Sequence, residues 1–230
     1  QAPLWKSVDV SYFLRHDPAE IAWHARVLWR HLGSSLPVVV ARLSSVGDGL
    51  QVLVYSPDRP DLFARICGYF DASGFGIQDA KIHTTRDGYA LDTFQIVLSN
   101  ADLHGPEEYR PLISLVETQA ALALASEGPL PDPSRSRPSR RVRSFPVVPR
   151  VSLAPDERAQ NWLLSVSAAD RSGLLYAVAR VLARHHINLQ LAKISTLGER
   201  VEDTFLVRGP ELSHAKSQLQ IESELLDAIA

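Results

Sequence analysis

The chain has 230 residues, 45% of them hydrophobic and 22% charged, which is apolar material for one large or two small globular cores. A formal charge of −2 supplies no field that would draw it to nucleic acid or an anionic membrane, and no apolar run is long enough to span a bilayer. Cys67 is the single cysteine, which excludes an intrachain disulfide framework and a cysteine-rich zinc site; a reducing compartment, the cytoplasm, is the expected location.

The opening at Gln1 and the lack of any methionine read as a piece of something longer. Residues 1–36 are expected to be a helical segment. Within them "DPAEIAWHARVLWRHL" carries a strong start signal: Asp17 as N-cap, Pro18 at the first helical position and Glu20 at the third. Trp23, Val27 and Arg30 share one face, and His24, Leu28 and His31 share the next. Two histidines two turns apart, with no carboxylate or cysteine beside them, read as packing or surface residues and not as a metal site.

"PVVVARL" (37–43) and the apolar, β-branched stretch Val52 to Tyr55 are expected strands. Leu62, Phe63, Ile66, Tyr69 and Phe70 then fall at helical spacing, predicting a helix of about four turns. "FGIQDAKIHTT" and "YALDTFQIVL" alternate as hairpin partners, and Tyr109 to Leu124 closes the unit as an amphipathic helix. Residues 126–143 are rich in Pro, Ser and Arg without an apolar period and read as an exposed linker; its arginines Arg135, Arg137, Arg140, Arg141 and Arg143 are taken as solubilising.

After the linker the sequence repeats itself. Asp58-Arg59 recurs as Asp170-Arg171, Gln78 as Gln190, and Ala80-Lys81-Ile82 as Ala192-Lys193-Ile194, all at one offset. Asp92-Thr93-Phe94 recurs as Asp203-Thr204-Phe205 at an offset one residue shorter. The loss falls between "TTRDGY" and "STLGER", where Gly88 and Gly198 supply the positive φ that a hairpin turn needs. A repeat that changes length only at a turn is a structural unit, so two domains are expected, at 37–125 and 144–230.

Strand, helix, strand, strand, helix is most of a ferredoxin-like α+β sandwich, one strand short. The second copy leaves no residues for that strand after its last helix. "PVVVARL" and "FPVVPRVSL" precede the two copies at equivalent positions, so each is expected to enter as an upstream hairpin partner and fill the missing edge slot, where proline is tolerated. Lys81 and Lys193 are expected to pair across the hairpin with Asp92 and Asp203 in preference to touching a ligand. No Gly-rich phosphate loop, no His-Asp pair in an HD-like setting and no D-x-D pair near a Gly-Ser loop is found; catalytic and metal-binding residues are expected to be absent from this piece.

"DRSGLLYAVARVLARHHINLQLAKIS" resembles an ACT domain, a small ligand-binding module. With "SYFLRHDPAEIAWHARVL", "SPDRPDLFARICGYF", "RDGYALDTF" and "TLGERVEDTFLV" in one order, nearly the whole chain resembles the C-terminal part of the bacterial PII uridylyltransferase/uridylyl-removing enzymes. The resemblance implies two ACT domains preceded by the tail of a catalytic region, and a nitrogen sensor that binds glutamine. It implies as partners the upstream catalytic domains, with magnesium in the parent enzyme, and through them the signalling protein PII. A homodimer through the ACT domains is a further implied partner. The rival expectation is an interaction or dimerisation module that binds no small molecule.

A zwitterionic ligand needs N–H groups at a helix start and an acceptor for its ammonium. The loop "ADRSGLL" offers Gly173 for close approach, the amides of Gly173, Leu174 and Leu175, and Asp170 as acceptor. The resemblance adds Asn188, where amino-acid-binding ACT domains often place a polar side chain on the ligand. In the first copy Gly173 becomes Asp61, a like charge for the ligand's carboxylate, and Asn188 becomes Gly76. The second copy is therefore the expected principal site, lost in Gly173→Asp and little affected by Asp61→Gly. That Gly173 serves only a tight turn and Asn188 only a strand end stays equally open.

Overall fold

The computed structural model describes residues 2–99, 105–133, 147–156, 161–194, 196–197 and 200–230. It opens with three helices, α1 (Ala2–Ser7), α2 (Val10–Arg15) and α3 (Pro18–Leu28). The expected capping box forms: the Asp17 carboxylate accepts the Glu20 N–H at 2.8 Å, and the Glu20 carboxylate accepts the Asp17 N–H at 3.1 Å.

The first domain follows as β1 (Val38–Leu43), β2 (Leu50–Pro57), α4 (Leu62–Ala72), β3 (Phe75–Lys81), β4 (Tyr89–Leu98), α5 (Pro106–Tyr109) and α6 (Ile113–Ala125). The second is β5 (Arg150–Pro155), β6 (Trp162–Ala169), α7 (Leu174–Arg184), β7 (Asn188–Lys193), β8 (Thr196–Leu197), β9 (Arg200–Arg208) and α8 (Ala215–Ile229). Both main sheets are antiparallel, in the orders β1-β2-β4-β3 and β5-β6-β9-β7. The upstream strand takes the edge slot in each copy and in the same register, Val40 opposite Leu53 and Ser152 opposite Ser165. Both copies also shift register at the repeated glutamine, between Ile77 and Asp79 and between Leu189 and Leu191. α4 and α7 have 11 residues each, about three turns and not the expected four. Gly88 has φ +82°, as its turn requires, whereas Gly198 lies outside the described residues.

The two sheets are covered differently. Helices α4 and α6 cover one face of the first sheet, burying Val52, Val54, Phe94 and Ile96. Its other face buries Leu53, Tyr55 and Leu91 under α1–α3, against Leu4, Val8, Tyr12, Trp23 and Leu28. The repeat explains the asymmetry, because Leu53, Tyr55 and Leu91 become Ser165, Ser167 and Glu202 in the second copy. There the outward face is polar and keeps Leu163 43% exposed.

The domains meet through α4 and α7 and through the neighbouring edges β3 and β7, and one apolar core runs through both. Gly68 is the close-approach point, since a Cβ there would lie 2.7 Å from the Tyr176 ring. The first part of the expected linker is anchored: the Pro131 carbonyl accepts from the Tyr176 hydroxyl at 2.7 Å, and Asp132 pairs with Arg180 at 2.9 Å. The linker arginines lie outside the described residues.

Candidate functional site

The repeated Asp-Arg pair does structural work first. The Arg59 guanidinium donates to the carbonyls of Leu124 and Ser126, and that of Arg171 to Ala228, so each satisfies the open C-terminal carbonyls of its domain's last helix. The aspartate beside it has another setting. In the first copy Asp58 faces a cleft between the domains, lined on one side by Asp58 to Pro60, Leu62 to Ala64, Ile82, Thr84, Ala90 and Asp92. Ala179, Leu182, Ile187, Asn188 and Leu189 of the second domain form its other wall. Its interior measures about 20 Å³, room for about one water molecule.

Two carboxylates share this cleft. Burial pushes the Asp92 pKa up to about 8, and the nearby Asp58 charge pushes the same way, against the His83 N–H that donates to Asp92 at 3.2 Å. Burial also raises the Asp58 pKa, while the Thr84 hydroxyl, donating at 3.1 Å, opposes the shift. Beside them Phe63 and Ala64 of the first turn of α4 line the cleft, and the first N–H groups of a helix have no acceptor within it. The cleft therefore offers acceptors for a cation and, from α4 and the Asn188 amide, donors for an anion.

The residues expected to form the site are not gathered at this cleft. Asn188 lines it, opposite the loop of the first copy; Asp170, Gly173, Leu174 and Leu175 are not among its lining residues. Gly173 holds φ +77° ahead of α7, and the Leu174 N–H already donates to the Arg171 carbonyl at 3.3 Å. Asp61 does not project a bare charge, because it pairs with Arg59 at 3.0 Å and Arg65 at 2.6 Å. Like-charge repulsion therefore gives no reason to disfavour the first-copy loop.

The expected Lys81–Asp92 pair does not form. Lys81 is the register partner of Thr93, and adjacent residues on a strand point to opposite faces, so Asp92 turns toward the helices and Lys81 away from them. Lys81 pairs instead with Glu20 at 2.7 Å, tying α3 to the outer face. Lys193 is exposed opposite Thr204, and Asp203 is buried like Asp92. Alternation around Asp92 was the signal that places it inward, and the recurrence of the Asp-Arg pair marked Asp58.

His24 is fully buried, its Nδ1 2.7 Å from the Tyr12 hydroxyl, and burial lowers its pKa to about 3, a packing histidine. Among the described residues no group of three or more His, Cys, Asp or Glu is placed to hold a metal ion, and no helix is long and apolar enough to cross a membrane. The magnesium implied for the parent enzyme is assigned to none of these residues.

Residues 162–223 match the ACT domain family, and residues 1–27 match the family described as the fifth domain of uridylyltransferase GlnD. Two ferredoxin-like sheets with helices, the second carrying this match, make the chain a pair of ACT-like α+β sandwiches. Over 228 residues, 99% of this chain and 26% of the relative, it is 58% identical to the bifunctional uridylyltransferase/uridylyl-removing enzyme of Ralstonia nicotianae. The enzymes of that name from Cupriavidus metallidurans and Burkholderia thailandensis are 57% and 55% identical, each over 99% of this chain and 26% of the relative. The chain spans about a quarter of the length of these relatives, and over nearly its whole length it is similar to the C-terminal region of the bifunctional uridylyltransferase/uridylyl-removing enzymes. An unknown protein from Galdieria sulphuraria, solved by crystallography, covers 82% of this chain and 92% of its own at 14% identity and a TM-score of 0.24, too low to show a fold.

Proposed function

We propose that this region senses glutamine for a PII-modifying uridylyltransferase/uridylyl-removing enzyme, and that the amino acid occupies the interdomain cleft. The observation that carries the reading is the pairing of two carboxylates, buried Asp92 and the more exposed Asp58, with the first turn of α4 and with Asn188. An ammonium between the carboxylates offsets the cost of burying Asp92, and the α-carboxylate meets N–H donors at the positive end of a helix. The effect reaches PII through the catalytic domains of the parent, in the cytoplasm. The chain itself carries no uridylyl transfer, so turnover with UTP, magnesium and PII would overturn the reading.

Calorimetry with glutamine and a panel of other amino acids is the test. Asn188→Ala should weaken glutamine binding on the order of tenfold, the scale of one lost hydrogen bond to a charged group. Gly173→Asp, confirmed folded by circular dichroism, should leave binding intact; loss there and not in Asn188→Ala would move the site to Asp170, Gly173, Leu174 and Leu175. The narrow interior favours the rival reading, a module that packs only on protein and dimerises. Absence of heat with every amino acid, together with a concentration-dependent dimer in sedimentation, would establish the rival.

A further inference from the structure

Arg15, at the end of α2, joins all three parts of the molecule through its hydrogen bonds. Its Nη1 donates to the Ile82 carbonyl at 2.9 Å and its Nη2 to the Ala192 carbonyl at 2.9 Å. Ile82 follows β3 and lines the cleft, and Ala192 lies on β7, whose first residues form the opposite wall. No ladder pairing joins β3 to β7 among the described residues, although the two edges are in contact. Burial lowers the Arg15 pKa, and the Asp79 charge opposes that shift.

We infer that Arg15 is a latch that holds the interdomain cleft shut and transmits its opening to the N-terminal helices. The inference rests on the amino-acid reading of the cleft. A cavity of about 20 Å³ does not admit an amino acid, so binding requires the first-copy wall and Ile187 to Leu189 to separate. Separation carries the Ile82 and Ala192 carbonyls apart. The guanidinium is planar, with donors in a fixed fork, and cannot follow both. One bond breaks, and α2 loses its hold on one domain. Because the latch opposes opening and ligand requires it, the two are linked reciprocally: a chain without the latch binds ligand more tightly, and ligand loosens α2.

The test uses this chain, glutamine as probe, and the variants Arg15→Gln and Arg15→Lys. In the wild type, saturating glutamine should protect residues 59–64 from hydrogen exchange and speed exchange across 8–16 severalfold. In Arg15→Gln exchange across 8–16 should already be fast and unresponsive to glutamine, while 59–64 remain protected and the affinity rises on the order of tenfold, the worth of one charge-assisted bond. Arg15→Lys keeps the charge but holds one carbonyl at a time, and should fall between. Protection at 59–64 with an unresponsive 8–16 segment in the wild type, or with unchanged or weaker affinity in Arg15→Gln, overturns the latch alone. No protection at 59–64 in any variant overturns the amino-acid reading and the latch with it.

Discussion

Replacing Asp92 by asparagine is expected to stabilise the protein above neutral pH and to flatten its pH dependence there. Asp92 is 3% exposed, and its pKa is raised from 3.8 to about 8, chiefly by burial. Between those values the unfolded chain has lost this proton while the folded chain keeps it, so stability is full below about pH 4 and is lost progressively as pH rises to about 8. The difference is on the order of 5 kcal/mol between the two ends of the window. Asparagine removes the loss and still accepts the His83 N–H.

The buried histidines act in the opposite sense. Burial lowers the pKa values of His16, His24 and His83, so their contribution is present above about pH 6.5 and is lost as pH falls. The two trends oppose each other in acid, and above about pH 6.5 the histidine trend is over while that of the carboxyl continues. Urea unfolding of wild type and Asp92→Asn at pH 6.5, 7.5 and 8.5 reads the effect. A wild-type midpoint that does not fall relative to the variant across that range would show that Asp92 is ionised in the fold. The same burial predicts that glutamine, by placing an ammonium beside Asp92, releases a proton on binding near neutral pH. Binding enthalpy should then vary with the ionisation enthalpy of the buffer.

Glu20→Ala should cost about 3 kcal/mol, the low end for removing one partner of a buried ion pair because Lys81 remains partly exposed. Glu20 is 4% exposed and is shared by two tasks. It closes the capping box of α3 through the Asp17 N–H, and it accepts from Lys81 Nζ at 2.7 and 2.8 Å and from Gln51 Nε2 at 2.5 Å on the sheet below. Gln51 in turn accepts from Arg42, whose guanidinium lies 4.0 Å from the Trp23 ring centroid. Alanine leaves the Lys81 ammonium and the Gln51 amide without this acceptor, whereas glutamine retains the cap and one acceptor and should cost about half as much. A loss below about 1 kcal/mol in urea unfolding of Glu20→Ala would show that α3 is held on the sheet by its apolar contacts alone.

Much of this architecture was legible in the chain. The repeat of Asp-Arg, Gln, Ala-Lys-Ile and Asp-Thr-Phe defines two units, because a sheet whose side-chain period is two fixes which residues recur on which face. The shortage of residues after the second copy places the missing strand upstream, and the capping residues fix the start of α3. Periodicity did less well with lengths, since the apolar spacing of α4 runs only from Leu62 to Phe70 and the helix ends at Ala72. Lys81 lies near Asp92 across the hairpin but on the opposite face of the sheet, which puts it on Glu20.

Local pattern and recurrence in the chain are enough for the two sandwiches, their permuted strand order and the resemblance to one enzyme family. The interdomain cleft follows from tertiary packing alone. Asn188 and the loop at Asp58 lie in different copies, far apart along the chain, and no local signal relates them; they meet because α4 packs on α7 at Gly68 and edge β3 lies beside edge β7. The cover on the first sheet is the same kind of fact. Leu53, Tyr55 and Leu91 make its outer face apolar, but which helices bury that face is settled by Glu20, Lys81 and Arg15, whose partners are set by the packing of distant segments.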